Sequence, residues 1–353
     1  RYGTVTGVQT CALPIYWRGA IRLLQGFQTA RKEDQPESVI HRGYLVDLYV
    51  PAKEPIATAL FIPGLGIHGR EDARMRRFGQ ALRAAGLRVL IPDVPSLRAL
   101  RITADQPEEV KALIASLADD ARLVTTDALA LMSVSFSSVF VLGAAHAMRR
   151  NNRIRAVGLI GGYFDIETVA HFLIRSKQAD PYGKLVIARS YLEETGSMGS
   201  SERVLLNRAI ETSAIRNASA VALEALFDQT IEDERKIYRW LTEPESCREL
   251  FERVLEVFDG RWSGFRLPTP FSPETPPVFL LHGREDRVIP VSESQSLSRS
   301  LAKDGVAHYL CVTDLLAHGN SHISLRRTIE IFKLLKGFAW FLGQVKAKRD
   351  RSQ

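Results

Sequence analysis

Cysteine is scarce in this chain. There are three in 353 residues, Cys11, Cys247 and Cys311, far apart and odd in number. That excludes a disulfide framework and shows no metal-ligand spacing; a reducing compartment, the cytoplasm, is the expected setting. Long apolar runs are missing too. No stretch reaches the roughly 18 consecutive apolar residues that mark a transmembrane helix, so none is predicted. Charge of one sign is not in large excess, with 47 Lys and Arg against 40 Asp and Glu. Part of the surplus of +7 sits near the two ends, around Arg18 to Lys32 and in Lys346 to Arg351. No dense basic stripe with interleaved aromatics is present, which argues against a nucleic-acid partner. Only a weak peripheral contact with an anionic membrane surface stays open. A hydrophobic share of 45% excludes disorder for most of the chain.

The chain opens on Arg1 without an initiator Met. The run Val5 to Ile15 (VTGVQTCALPI) has neither helical nor strand period and looks like a translated sequencing-adapter run. Residues 1–15 are therefore set aside as non-native, which leaves the true N-terminus open. From Tyr16 to Lys32 the apolar positions Ile21, Leu23, Leu24 and Phe27 predict a short amphipathic helix. Residues 16–42 are read as an N-terminal helical extension, and residues 346–353 as a basic tail.

Between these ends the pattern alternates. Gly43 to Val50 reads as a strand, and Ala57 to Ile62 (ATALFI) is a continuous apolar run stopped by Pro63-Gly64, the look of a buried central strand. A helix is predicted over Asp72 to Ala85, with Gly86 as its C-terminal stop. Strand Leu87 to Ile91, helix Pro107 to Leu117, strand Ala128 to Met132, helix Phe136 to Met148 and strand Ile154 to Ile160 follow. Strands alternating with helices predict a mostly parallel sheet covered on both faces. From about Phe164 to Phe271 the chain turns helical and charged, most clearly at Ala209 to Lys236, and a proline-rich stretch from Pro268 to Pro277 closes it. The alternation then resumes with strand Val278 to Leu281, helix Val291 to Lys303, strand Ala307 to Val312 and helix Ile323 to Gln344.

Three short segments carry candidate chemistry. Ser133-Val-Ser135-Phe-Ser137 lies between a strand and an apolar helix, where a strained turn can lift one serine oxygen above a sheet. Small residues are needed two before and two after that serine because backbones crowd there. Gly usually fills both places; here both are Ser. Taken alone, the five residues read more simply as a serine-rich helix cap. His282-Gly-Arg-Glu-Asp286-Arg-Val-Ile-Pro290 follows a buried strand, so Asp286 could orient a histidine or merely shape a turn. Thr313-Asp-Leu-Leu-Ala-His318-Gly-Asn-Ser-His322 lies between the last strand and the last helix. His68 and His146 are read as structural.

On these segments the chain resembles the α/β-hydrolases over about residues 43–345. The order Ser135, Asp286, His318 matches that family's nucleophile, acid and histidine. The resemblance implies an α/β-hydrolase fold, with a mostly parallel sheet, helices on both faces and an inserted helical cap. Its core would be residues 43–163 and 272–345, its cap residues 164–271. The chain between Ser135 and Asp286 is far longer than the two βα units, each about 30 residues, that the core needs there. The resemblance also implies an oxyanion hole from the backbone N–H groups of Leu65 and Phe136, although a plain tight turn would also use Gly64 and Gly66. It implies a serine hydrolase acting on small-molecule carboxylic esters, with no metal or organic cofactor. Amide or thioester hydrolysis on the same triad, and a non-catalytic relative that binds a ligand or partner, are the alternatives. Phe172, Leu173 and Leu226 would line the acyl or alcohol pocket or the cap's own core. His318 is preferred to His322 because Asn320 and Ser321 suit an N-cap, which would put His322 on the helix and leave His318 in the loop. Oligomeric state is not legible.

Overall fold

The computed structural model describes residues 13–29, 35–176, 178–196, 199–214, 243–259, 263–315 and 325–347. Helix α1 (Leu13–Thr29) opens the chain; its first turn falls inside the run set aside above. Strands β1 (Glu37–His41) and β2 (Tyr44–Tyr49) follow as an antiparallel hairpin. Its two-residue turn, Arg42 and Gly43, has φ of 46° and 87°. Positive φ at both central residues matches the right-handed twist of paired strands. Residues 37–41 are thus part of the sheet, not of a helical extension. The segment ESVIH is an edge strand with three exposed residues out of five, so it lacks the apolar alternation that would mark it.

The core then alternates as the sequence implies, through β3 (Ala57–Ile62), α2 (Ala73–Ala84), β4 (Leu87–Pro92), the one-turn helix α3 (Pro95–Arg98), α4 (Gln106–Ala118), β5 (Leu129–Val134), α5 (Ser138–Ala147) and β6 (Ile154–Ile160). Asp72 caps α2 by accepting from the Arg74 N–H, and Gly86, at φ 99°, ends it. The helical segment includes α6 (Ile166–Arg175), α7 (Pro181–Glu194), α8 (Ser200–Ala214) and α9 (Pro244–Asp259). Most of the predicted helix Ala209 to Lys236, with Leu226, lies outside the described residues. The core resumes with β7 (Val278–Gly283), α10 (Val291–Lys303), β8 (His308–Thr313) and α11 (Leu325–Lys346).

The eight strands form one sheet in the order β1-β2-β4-β3-β5-β6-β7-β8. β1/β2 and β2/β4 are antiparallel, and every other pair is parallel. Successive residues of each central strand face opposite sides. Leu60 and Ile62 of β3, Leu131 of β5 and Leu280 of β7 enter a core with Val110, Ile114, Phe140 and Leu297. Ala59, Phe61, Met132 and Phe279 enter a second core with Leu23, Phe78, Phe338 and Phe341. The fully buried strand ATALFI is apolar on both faces because each face has its own helices to pack against. Parallel strands share a direction, so β3, β5, β6, β7 and β8 all end at one edge of the sheet. Leu65, Ser135 and Asp286 follow β3, β5 and β7 there.

Candidate active site

Ser135 directly follows β5, in a single 3₁₀ turn (Ser135–Ser137) that leads into α5. Its φ is 56°, and it is one of three non-glycine residues with positive φ among those described. A left-handed residue between a strand and a helix is the strained elbow that raises a side chain above a sheet edge. The neighbouring serines have other duties. Ser133 is fully buried in β5, with its Oγ 3.4 Å from Ser138 Oγ. Ser137 Oγ, also buried, donates to the carbonyls of Val134 (2.9 Å) and Ile62 (3.3 Å). Both hydroxyls fit where glycine is usual because their oxygens find partners, which leaves Ser135, half-buried, as the hydroxyl facing the edge.

The loop after β3 packs on this elbow. A Cβ at Gly64 would lie 2.8 Å from the Val134 carbonyl oxygen and 3.3 Å from Ser135 Cβ. Glycine is needed at 64 for close approach rather than for an unusual φ; at Gly66 nothing lies within 4 Å. Leu65 is thereby held beside Ser135, and among the described residues its N–H donates to no protein acceptor. Its carbonyl accepts from the Tyr182 hydroxyl of α7 at 3.1 Å. Burial pushes the Tyr182 hydroxyl's pKa well up, so it stays a donor. Phe136 is buried and stacks on Phe140, Tyr163 and Phe265, which pins the peptide joining it to Ser135.

Asp286 sits in the turn after β7. Its Oδ1 accepts from the N–H groups of Val288 (2.9 Å) and Ile289 (3.0 Å). Its Oδ2 lies 3.4 Å from the Cβ position of Gly161, which follows β6 with φ 62°. One carboxylate oxygen is therefore fixed by the loop, and the other is turned towards the strand ends.

His282 supports this turn, a role its place in the motif did not reveal. It is fully buried, its Nε2 donates to the Ile289 carbonyl at 2.9 Å, and its Nδ1 lies 2.6 Å from Ser294 Oγ. A carbonyl only accepts, so Nε2 carries the proton, and Nδ1 can take one from the serine. Burial pushes its pKa down, which keeps the ring neutral. Glu293, also buried, accepts from the N–H groups of Phe164 and Asp165. This ties the start of α10 to the point where the chain leaves the sheet for its helical segment.

His318 and His322 lie outside the described residues; the chain is described up to Leu315, two residues past β8. His68 is exposed. His146 bonds Thr275 through Nδ1 at 3.1 Å on the far part of α5, and burial lowers its pKa. Among the described residues no three His, Cys, Asp or Glu side chains gather as metal ligands do, and no helix is long and apolar enough to cross a membrane.

No protein-family model and no curated protein matches the chain in sequence. Solved structures do match it in shape. A Legionella pneumophila protein assigned, without proof, as a hydrolase superposes with a TM-score of 0.56 at 14% identity, over 94% of this chain and 96% of its own. Candida antarctica lipase A in its closed state gives 0.52 at 14% identity, over 88% of this chain and 76% of the lipase. Against the Pyrococcus horikoshii acylaminoacyl peptidase the TM-score is 0.44 at 13% identity, and the chain spans only 41% of that protein's length. With a parallel sheet entered through an antiparallel hairpin, helices on both faces and a strand-to-helix elbow after β5, this chain has the α/β-hydrolase fold.

Proposed function

We propose that the protein is a serine hydrolase that cleaves carboxylic esters through an acyl-enzyme. Ser135 Oγ attacks the ester carbonyl carbon, and His318 takes the hydroxyl proton. The negative charge that gathers on the carbonyl oxygen is met by the Leu65 and Phe136 N–H groups. The C–O bond then breaks, and His318 returns the proton to the departing alcohol. Water, activated by the same histidine, frees the acid. Asp286 Oδ2 holds the histidine in one tautomer and offsets the imidazolium charge, while Oδ1 is kept in place by the Val288 and Ile289 N–H groups.

The observation that carries this reading is the positive φ of Ser135 at the end of β5. A turn serine serving only as a helix cap has no need of a strained backbone. Ser133 and Ser137 each find hydrogen-bond partners, which supports an elbow that accepts serine where glycine is usual. Residues 164–271 act as the cap, and the bond from Tyr182 to the Leu65 carbonyl links that segment to the loop beside the nucleophile.

The test is labelling with a fluorophosphonate probe together with a panel of 4-nitrophenyl esters. Wild type should label and turn over; Ser135→Ala should do neither. His318→Ala should lose activity by several orders of magnitude, whereas His322→Ala should stay within about tenfold. Normal turnover by Ser135→Ala would overturn the assignment of the nucleophile.

A further inference from the structure

A second cluster of charge lies away from the elbow. A cavity of about 280 Å³ opens between α7, α8 and the segment that follows β4, and Arg98, Arg101, Arg189 and Arg203 line it. Against four guanidinium groups it has one carboxylate, Glu193, and one side-chain amide, Asn207. Arg98 is drawn to Asp93 at 3.4 Å, and Arg101 to Glu193 at 3.7 Å. Among the described residues neither Arg189 nor Arg203 forms a salt bridge; Glu193 acts on Arg189 only from beyond contact distance.

Arg189 is the unusual member. It is only 5% exposed, and burying a charge without a counterion is costly. Its two terminal nitrogens donate to neutral acceptors, Asn207 Oδ1 at 2.9 Å and the carbonyls of Ala99 and Leu100. These hold the fork in place without neutralising it. Its Nε is buried and has no hydrogen-bond partner among the described residues. Leu100, which supplies one of the carbonyls, has φ 57°, a strain of the kind that collects at ligand clamps. Burial, and to a smaller degree the positive charges of Arg101 and Arg203, push the Arg189 pKa down against the opposing pull of Glu193 and Tyr182. A guanidinium does not lose its proton in a protein, so Arg189 keeps its positive charge here, held by neutral acceptors with its Nε unpartnered.

Two structural links place the cavity near the nucleophile. Ile67, in its wall, is two residues beyond Leu65. Tyr182 and Arg189 are seven residues apart on α7, hence on one face and separated by about 10 Å along the axis. The first touches the Leu65 carbonyl and the second lines the cavity. We infer that this cavity receives a carboxylate or phosphate group at the far end of the molecule attacked by Ser135, so that the enzyme selects acidic esters over neutral ones of equal length. The inference rests on the serine-hydrolase reading for its catalytic half only; the binding of an anion by these arginines stands without it. Planar forks suit both oxyanions, since each can be held by paired N–H donors.

The test uses the full-length chain and two matched ester series. One ends its acyl chain, the other its alcohol chain, in methyl, carboxylate or phosphate eight carbons from the ester. In at least one series kcat/KM should favour an anionic end by about tenfold or more, the scale of one charge-assisted hydrogen bond. The better of the two anionic ends identifies the group. Arg203→Ala should reduce the acidic-to-neutral ratio to near one, while Arg253→Ala, an exposed arginine of α9 paired with Glu249, should leave the ratio alone. Arg189→Met should act as Arg203→Ala does; because Arg189 is buried it can also cost stability, and the exposed Arg203 keeps the test decisive. In parallel, calorimetry of Ser135→Ala with octanedioate and with inorganic phosphate reads the anion site without turnover. Anion binding that Arg203→Ala weakens, joined to a preference for acidic esters, bears the inference out. Binding without such a preference overturns the link to the substrate, and no binding with no preference overturns the site. If no ester of any kind is turned over while Arg203-dependent binding persists, the serine reading fails and the anion site survives it.

Discussion

The elbow and the arginine cavity are built on opposite principles. Around Ser135 the geometry comes from backbone. A positive φ, a glycine pressed against the elbow and two loop N–H groups on Asp286 define positions that hardly depend on long side chains. The cavity is made of long side chains reaching in from two inserted helices and one loop. The first arrangement holds its groups firmly in place, because a sheet edge cannot shift without losing its ladder. The second can vary by single substitutions without disturbing the sheet. On the proposed reading, chemistry would be lodged in the rigid part and selectivity in the variable one.

Mutations should separate the two. The largest effect is expected from Ser135→Ala, which should cut turnover of any ester by about 10⁴ to 10⁶ while thermal unfolding stays near wild type, since Ala keeps the Cβ and with it the same backbone strain. Asp286→Asn should lose about 10⁴ in kcat by favouring the wrong histidine tautomer; steady-state kinetics on acidic and neutral esters should show equal losses. Gly64→Ala should cost about 10² in kcat, because the added Cβ meets the Val134 carbonyl at 2.8 Å and moves the Leu65 N–H. A rise in KM alone would mean that this loop binds substrate without serving the oxyanion. Tyr182→Phe joins the two regions, and losing its bond to Leu65 should lower kcat severalfold, the scale of one hydrogen bond, with KM nearly unchanged.

The smallest expected effect is on stability against pH. The His282 pKa is lowered in the folded chain by burial. The unfolded chain takes up a proton near the ordinary histidine value, about 6.5, and the folded chain resists it. The contribution of neutral His282 is thus present above that value and is lost as pH falls below it. Denaturant titrations of wild type and His282→Gln at several pH values should show a shallower acid decline in the variant. Equal declines would mean that His282 is not held neutral by burial.

What could be read in advance follows the periodicity of each element. Ala57–Ile62, Ile154–Ile160 and Val291–Lys303 stand where the apolar pattern put them, because continuous runs and helical spacing are local signals. β1 was hidden because an edge strand need not be apolar, and α3 because four residues are too few to show a period. His282 looked like part of a motif for Asp286. Its work depends on Ser294 and Ile289, which reach it only when α10 folds back on β7.

The sequence by itself determined the alternation of strands and helices, the serine placed after a strand and the acid placed after a later one, since these depend on the order of residues along the chain. Tertiary structure alone decided that Ser135 is the strained member of three serines, that Gly64 is needed for close approach, and that Arg189 is buried with no salt bridge among the described residues. Each of those facts is a relation between segments far apart in sequence, and the free energy of a contact or of a buried charge is set by what surrounds the group in space.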